Sequence, residues 1–95
     1  MYHFESKLFR YQGSSAWYFL PLPKVLAEKI EQESVSKLKP FGSLRVSVCI
    51  KNSSYTTSIF KDTKSKTFFL PVKKEIRQKE LLDDGDMVTC TLSII

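Results

Sequence analysis

Residues 58–79, SIFKDTKSKTFFLPVKKEIRQK, overlay residues 8–29, LFRYQGSSAWYFLPLPKVLAEK, without a gap and fifty positions apart. Phe69, Leu70 and Pro71 fall on Phe19, Leu20 and Pro21; Lys74 and Lys79 fall on Lys24 and Lys29; Ile76 falls on Leu26. Each copy runs from an aromatic strand to a proline that stops it, then to a short amphipathic helix, a glycine and another strand. The chain thus reads as one unit stated twice, in pseudo-repeats 2–50 and 54–95.

The flanking segments agree with a mostly β fold. In 43–50, Leu44, Val46, Val48 and Ile50 alternate with Ser43, Arg45, Ser47 and Cys49; in 87–95, Val88, Cys90, Leu92 and Ile94 alternate with Thr89, Thr91 and Ser93. Period-two alternation predicts half-buried strands. Residues 54–60 follow the turn-prone Lys51-Asn52-Ser53 and predict a hairpin with 43–50. Two more hairpins are expected, 2–10 with 16–21 around Gln12–Ser15, and 55–61 with 66–71 around Asp62–Ser65. Helices fit at 23–34, where Pro23 suits a first turn and Val25, Leu26 and Ile30 form a stripe, and at 72–81, with Val72, Ile76 and Leu81 or Leu82. Segment 34–41 has no counterpart and reads as a loop closed by Pro40. Aligning Val46 with Val88, not Gly42 with Gly85, keeps both apolar faces inward.

Length and composition point to one domain, 1–95. The chain has 95 residues, 42% apolar and 26% charged, with seven Phe, four Tyr and one Trp, which is bulk enough to fill a single core. The opening MYHFESK lacks the basic and apolar regions of a signal peptide, and no apolar run approaches the roughly 20 residues of a membrane helix. No membrane partner and a cytoplasmic location are expected. Cys49 and Cys90 form neither a disulfide framework nor a zinc pattern and read as small hydrophobes.

The second copy, strand, turn, strand, LPVKKEIRQKELLDDGD, strand, resembles the swapped-hairpin unit of AbrB-type transcription factors and MazE-type antitoxins, which are obligate dimers. That resemblance implies a double-split β-barrel with two short capping α-helices, an AbrB-like pseudo-dimer in one chain and hence a monomer. Trp17-Tyr18-Phe19 with Pro21 or Pro23, Gly42-Ser43, Thr57-Ser58-Ile59-Phe60, Leu70-Pro71-Val72-Lys73-Lys74, Arg77 and Gly85-Asp86 are also similar to a small prokaryotic family known only as a domain of unknown function, often joined to YdeI/OmpD-associated-type domains. That family's usual proline after Phe60 is Lys61 here, and its glycine-rich turn is Lys51–Ser54. It implies no activity.

Nothing in the residues asks for catalysis. His3 is the only histidine, no cluster has metal-ligand spacing, and phosphate-binding glycine motifs are missing, so no enzyme activity, cofactor or metal is expected. The charge is more informative. Net charge is +5, and Lys61, Lys64, Lys66, Lys73, Lys74, Arg77 and Lys79 crowd one stretch. Glu80, Asp83, Asp84 and Asp86 then follow, so a helix over 72–81 would carry cations at its start and anions at its end, against its dipole. A surface run of charge is ordinarily a solvated face, and aromatic residues such as Trp17 and Tyr18 ordinarily pack under a helix. The functional alternative is a site in which Lys73, Lys74 and Arg77 hold an anion beside an aromatic wall at Trp17, with Ser58 adding a hydrogen bond. The expected function is non-enzymatic binding of an anionic small molecule or a protein partner; the alternative is AbrB-like nucleic-acid binding, to which lysines contribute phosphate contacts more than base reading.

Overall fold

A computed structural model describes residues 1–12, 17–39 and 42–95. The strands are β1 (Tyr2–Lys7), β2 (Phe9–Arg10), β3 (Tyr18–Pro21), β4 (Ser43–Ile50), β5 (Ser53–Lys61), β6 (Phe68–Pro71) and β7 (Met87–Ile94); the helices are α1 (Lys24–Glu33) and α2 (Lys74–Lys79). All pairings are antiparallel, in the order β1-β7-β4-β5-β6-β3-β2.

β1 and β2 are one strand broken at Leu8. Its N–H donates to the Asp86 carbonyl and its carbonyl accepts from Gly85 N–H, both at 2.8 Å, with Gly85 at a φ of 91° that favours glycine. Since β1 pairs with β7 and β2 with β3, the two ends of the sheet sit on one bent strand. The Ser6 hydroxyl donates across the remaining gap to the Pro21 carbonyl at 2.5 Å. The result is a nearly closed seven-stranded antiparallel barrel with two short helices. Alternation fills it: Leu44, Val46, Val48 and Ile50 of β4, Val88, Cys90 and Leu92 of β7, and Leu8, Leu20, Ile59, Phe68 and Leu70 are all buried.

The expected β4–β5 hairpin runs in register from Ser43↔Phe60 to Ile50↔Ser53. The first predicted hairpin is shorter, because only Phe9–Arg10 pair with β3 while Tyr2–Lys7 go to β7; most of its turn, 13–16, lies outside the described residues, as do Pro40 and residue 41. Segment 34–41 is not all loop, since Val35–Lys37 form a 3-10 turn.

The strand registers correct the gapless overlay. Phe9 faces Phe19 as Phe60 faces Phe69, and Arg10 faces Tyr18 as Lys61 faces Phe68. Equivalent residues therefore stand 51 apart in the first strand of each hairpin and 50 apart in the second. Seven residues join the strands of the first hairpin and six those of the second. Burial agrees, since Leu8 matches Ile59 and both are buried, whereas the gapless overlay sets Leu8 on Ser58. Between the hairpins Leu20 pairs with its own equivalent, Leu70. Cys49 pairs with Thr91, each three residues beyond Val46 and Val88.

Both helices differ from expectation in ways that burial and capping explain. In α1 the inward positions are Ala27 and Ile30, with Leu26 partly covered, while Val25 points to solvent; Pro23 precedes the helix and its carbonyl accepts from Ala27 N–H at 2.9 Å. α2 stops at Lys79, which puts Glu75 in its first turn and Arg77 and Lys79 in its last, as its dipole favours, while Lys73 and Lys74 stand at its start against the dipole. The acidic group lies beyond the helix. Glu80 is buried and accepts from the Ser53 hydroxyl at 2.5 Å, while its carbonyl accepts from Lys51 Nζ at 3.3 Å. Asp83, Asp84 and Asp86 accept backbone N–H groups in a turn: Asp86 Oδ2 from Asp83, Asp83 Oδ1 from Asp84 and Asp84 Oδ1 from Arg10. Leu82 takes the buried position and Leu81 is exposed.

Candidate functional site

Alternation that sends Leu8, Leu20, Ile59 and Leu70 inward must send Phe9, Phe19, Phe60 and Phe69 outward. Two cross-strand pairs, Phe9–Phe19 and Phe60–Phe69, thus meet on the outer face of β2, β3, β6 and β5. Phe19 and Phe69 are tilted at 5.6 Å between centroids, and Phe9 meets Phe69 edge-on at 5.3 Å. The first hairpin adds Tyr11, edge-on to Phe19 at 5.8 Å and 84°, and Trp17, parallel to Phe19 within 10° at 5.8 Å. At the matching places the second hairpin carries Asp62 and Thr67, whose hydroxyl is buried and donates to the Leu22 carbonyl at 2.7 Å. Tyr11, Trp17, Phe19, Phe60, Lys61, Asp62 and Phe69 line a concavity of about 450 Å³.

Its charges are held in place. Lys61 Nζ stands 2.5 Å from Glu31 Oε2 on α1, the one ion pair among the described residues. Asp62 Oδ2 accepts from both the hydroxyl and the N–H of Ser65, at 2.7 and 2.9 Å. These bonds favour the anion and keep its carboxyl below the ordinary range.

The sequence-derived candidates divide. Trp17 and Lys73 come together, lining a smaller concavity of about 210 Å³ with Tyr18, Pro71 and Val72. Arg77 backs that wall, its guanidinium 3.7 Å over the Tyr18 ring and its Nε donating to the Val72 carbonyl at 3.2 Å. Lys73 Nζ lies 5.6 Å from the centroid of Tyr55, whose hydroxyl donates to the Pro71 carbonyl and whose pKa burial pushes up. Lys74 opens α2 on the exposed side, and Ser58 faces Arg45 across the β4–β5 ladder; neither lines either concavity. Tyr18 packs beneath α2 as aromatics in such strands usually do, whereas Trp17 is 51% exposed.

Tyr11, Phe60, Phe69 and Asp62 were not read from the sequence as site residues. The signal that finds them is strand phase: once Ile59 is placed inward, Phe60 must face out beside Phe69, and Asp62 begins the turn next to them. Cys90 is buried and its thiol pushed up to about 12 by that burial, with the nearby Cys49 adding to it; Cys49 is exposed. His3, on β1, shares a hydrogen bond with Thr91 Oγ1 at 2.9 Å. Among the described residues no helix is long and apolar enough to cross a membrane, and no group of three potential metal ligands occurs.

No curated protein matches the chain. A family model covers residues 4–92, nearly the whole barrel from Phe4 in β1 to Leu92 in β7, and the chain belongs to the family described as a domain of unknown function, DUF1905.

Proposed function

We propose that the domain is a non-catalytic binding module whose ligand lies against Trp17 and sets an anionic group on Lys73. One observation carries this: the half-exposed indole walls two concavities, and across one of them stands Lys73, an exposed cation with no carboxylate within ion-pair distance among the described residues. A ring or carbonyl plane against the indole, with a charge-assisted hydrogen bond from Nζ, suits a small planar carboxylate or phosphate. Arg77 acts through Tyr18, stiffening the wall, and does not meet the ligand. The non-catalytic reading is supported by Asp62, a carboxylate made a weak base by Ser65. We read the barrel as an AbrB-like double-split pseudo-dimer that is complete as a monomer, supported by the matched registers of its two hairpins.

Trp17 is the only tryptophan, so its fluorescence reports binding directly. In titrations with a panel of aromatic carboxylates and phosphates, at least one should bind saturably, Lys73→Ala should weaken it several-fold, and Lys74→Ala should leave it unchanged. Equal binding by the parent and Lys73→Ala, or no saturable binding across the panel, would defeat the reading. Nucleic-acid binding is the second reading, favoured by the net charge of +5 and the exposed indole. It predicts retention of single-stranded DNA that falls steeply with salt; absence of retention at low salt removes it.

A further inference from the structure

We infer that the concavity framed by Tyr11, Trp17, Phe19, Phe60 and Phe69 is a cage for an alkylated ammonium group, with Asp62 as its counter-charge. The inference uses the other concavity that Trp17 lines, not the one it lines with Lys73, and shares with the proposed function Trp17 and the premise that this face binds a ligand.

Ring geometry is the first ground. Tyr11 stands at 84° to Phe19, and Trp17 lies within 10° of parallel to Phe19. Tyr11 is therefore nearly perpendicular to Trp17 as well. Rings set at different angles around one concavity line it with more than one aromatic wall, and a cation over an open aromatic face is attracted by it. A flat neutral aromatic ligand would match one wall and leave the others unused.

Charge is the second ground. The two charged residues lining the concavity are Lys61 and Asp62. Lys61 is already paired with Glu31 at 2.5 Å, so Asp62 is the lining carboxylate without an ion-pair partner, with the charge of Lys64 acting on it from farther off. Its anionic form is held by the two Ser65 hydrogen bonds. The carboxylate that holds the β5–β6 turn through Ser65 also lines the concavity, and the matching place in the first hairpin holds Tyr11.

Size is the third. Tyr11, Trp17 and Phe60 are 50%, 51% and 46% exposed, which amounts to roughly 300 Å² of open aromatic surface if a full ring side chain contributes about 150–250 Å². A stable protein partner covers about 800 Å² per side, so the patch suits a small head group. The concavity of about 450 Å³ shares Tyr11, Asp62 and Phe69 with a neighbouring one of about 690 Å³ that also holds Arg10, Gln12 and Lys64. The remainder of the molecule that bears the ammonium extends there.

The shared chemistry is a quaternary or tertiary ammonium, borne by a free small molecule or by a methylated lysine side chain. The full chain is titrated with choline, with a trimethyl-lysine peptide, with its unmodified lysine counterpart and with the uncharged tert-butyl isostere of choline, following Trp17 fluorescence. Saturable binding of choline or of the trimethyl-lysine peptide is expected, and which of the two binds more tightly identifies the source. The isostere should bind about tenfold more weakly, the factor that corresponds to 1.4 kcal/mol of cation–π and charge attraction. Asp62→Asn and Phe60→Leu, each checked by thermal melting to be folded, should weaken the ammonium severalfold and leave any anion binding at Lys73 unchanged. Equal affinity for choline and its isostere overturns the cage while sparing the binding module. No response to any ammonium probe also overturns it, whatever the anion panel shows; silence in both panels defeats both readings.

Discussion

Replacing Ser53 by Ala removes the hydroxyl that donates to Glu80 at 2.5 Å, in a contact where Ser53 is 3% and Glu80 8% exposed. Hydrogen bonds to charged groups contribute about 1.5–3 kcal/mol, and a buried acceptor stripped of its donor costs a similar amount. Lys51 binds the Glu80 carbonyl and not its carboxylate, so it does not substitute for the lost hydroxyl. A loss of about 2 kcal/mol is expected, which at about 4–8 °C per kcal/mol for a domain of this size lowers Tm by about 8–16 °C. Urea unfolding followed by circular dichroism should show a lower midpoint at unchanged slope, while Ser47→Ala, on the exposed face of β4, should stay within about 0.5 kcal/mol of the parent. Glu80→Ala and the double variant complete a cycle whose coupling energy measures the contact. A Ser53→Ala variant as stable as the Ser47→Ala control, or strictly additive single losses, would refute the view that this buried contact ties the β4–β5 turn to the end of α2.

Three further outcomes can be checked. Leu20→Ala and Leu70→Ala, at paired and fully buried positions, should each cost about 2–5 kcal/mol, and the double variant less than the sum because both empty the same space. A thiol reagent at neutral pH should modify exposed Cys49 in the native protein and reach Cys90, buried and pushed up to about 12, only on unfolding; two reactive thiols in the folded domain would contradict the packing. Asp62 has its folded pKa depressed by Ser65, so its contribution to stability is present above the unfolded carboxylate pKa and is lost as pH falls through the folded one. Ser65→Ala should raise the Asp62 midpoint measured by NMR and make stability less sensitive to acid.

Strand phase made much of the barrel legible. The alternation in 43–50 and 87–94 placed Val46, Val88 and their neighbours correctly, since a slip of one residue inverts a strand. The same sensitivity explains what was missed: residue identity alone aligns Leu8 with Ser58, while pairing aligns Leu8 with Ile59, and the single extra residue falls in a loop where identity carries no register. For the helices, a stripe through Val25 is as periodic as one through Ala27, and only the barrel's position decides between them. Charge read along the chain gave a helix opposed to its dipole at both ends; the end of α2 at Lys79 and the burial of Glu80 remove the conflict at its C-terminus, while Lys73 and Lys74 keep it at the start. Trp17 and Lys73 were legible as a pair because the two copies differ there. Asp62 and Phe60 were not, because their role depends on which face β5 turns outward.

Among the pairings, only the short hairpins β2–β3 and β5–β6 join strands of the same half; β1–β7, β4–β5, β4–β7 and β3–β6 all join one half to the other. Cut at the Lys51-Asn52 turn, the two pieces would be an obligate heterodimer whose folding depended on concentration. The peptide bonds of that turn convert a second-order encounter into a first-order one, supplying effective concentration and no contact of their own. Each residue on a seam answers to a partner that lies across it in the other half, whereas Tyr11 and Trp17 pair with each other at the tip of a hairpin within one half.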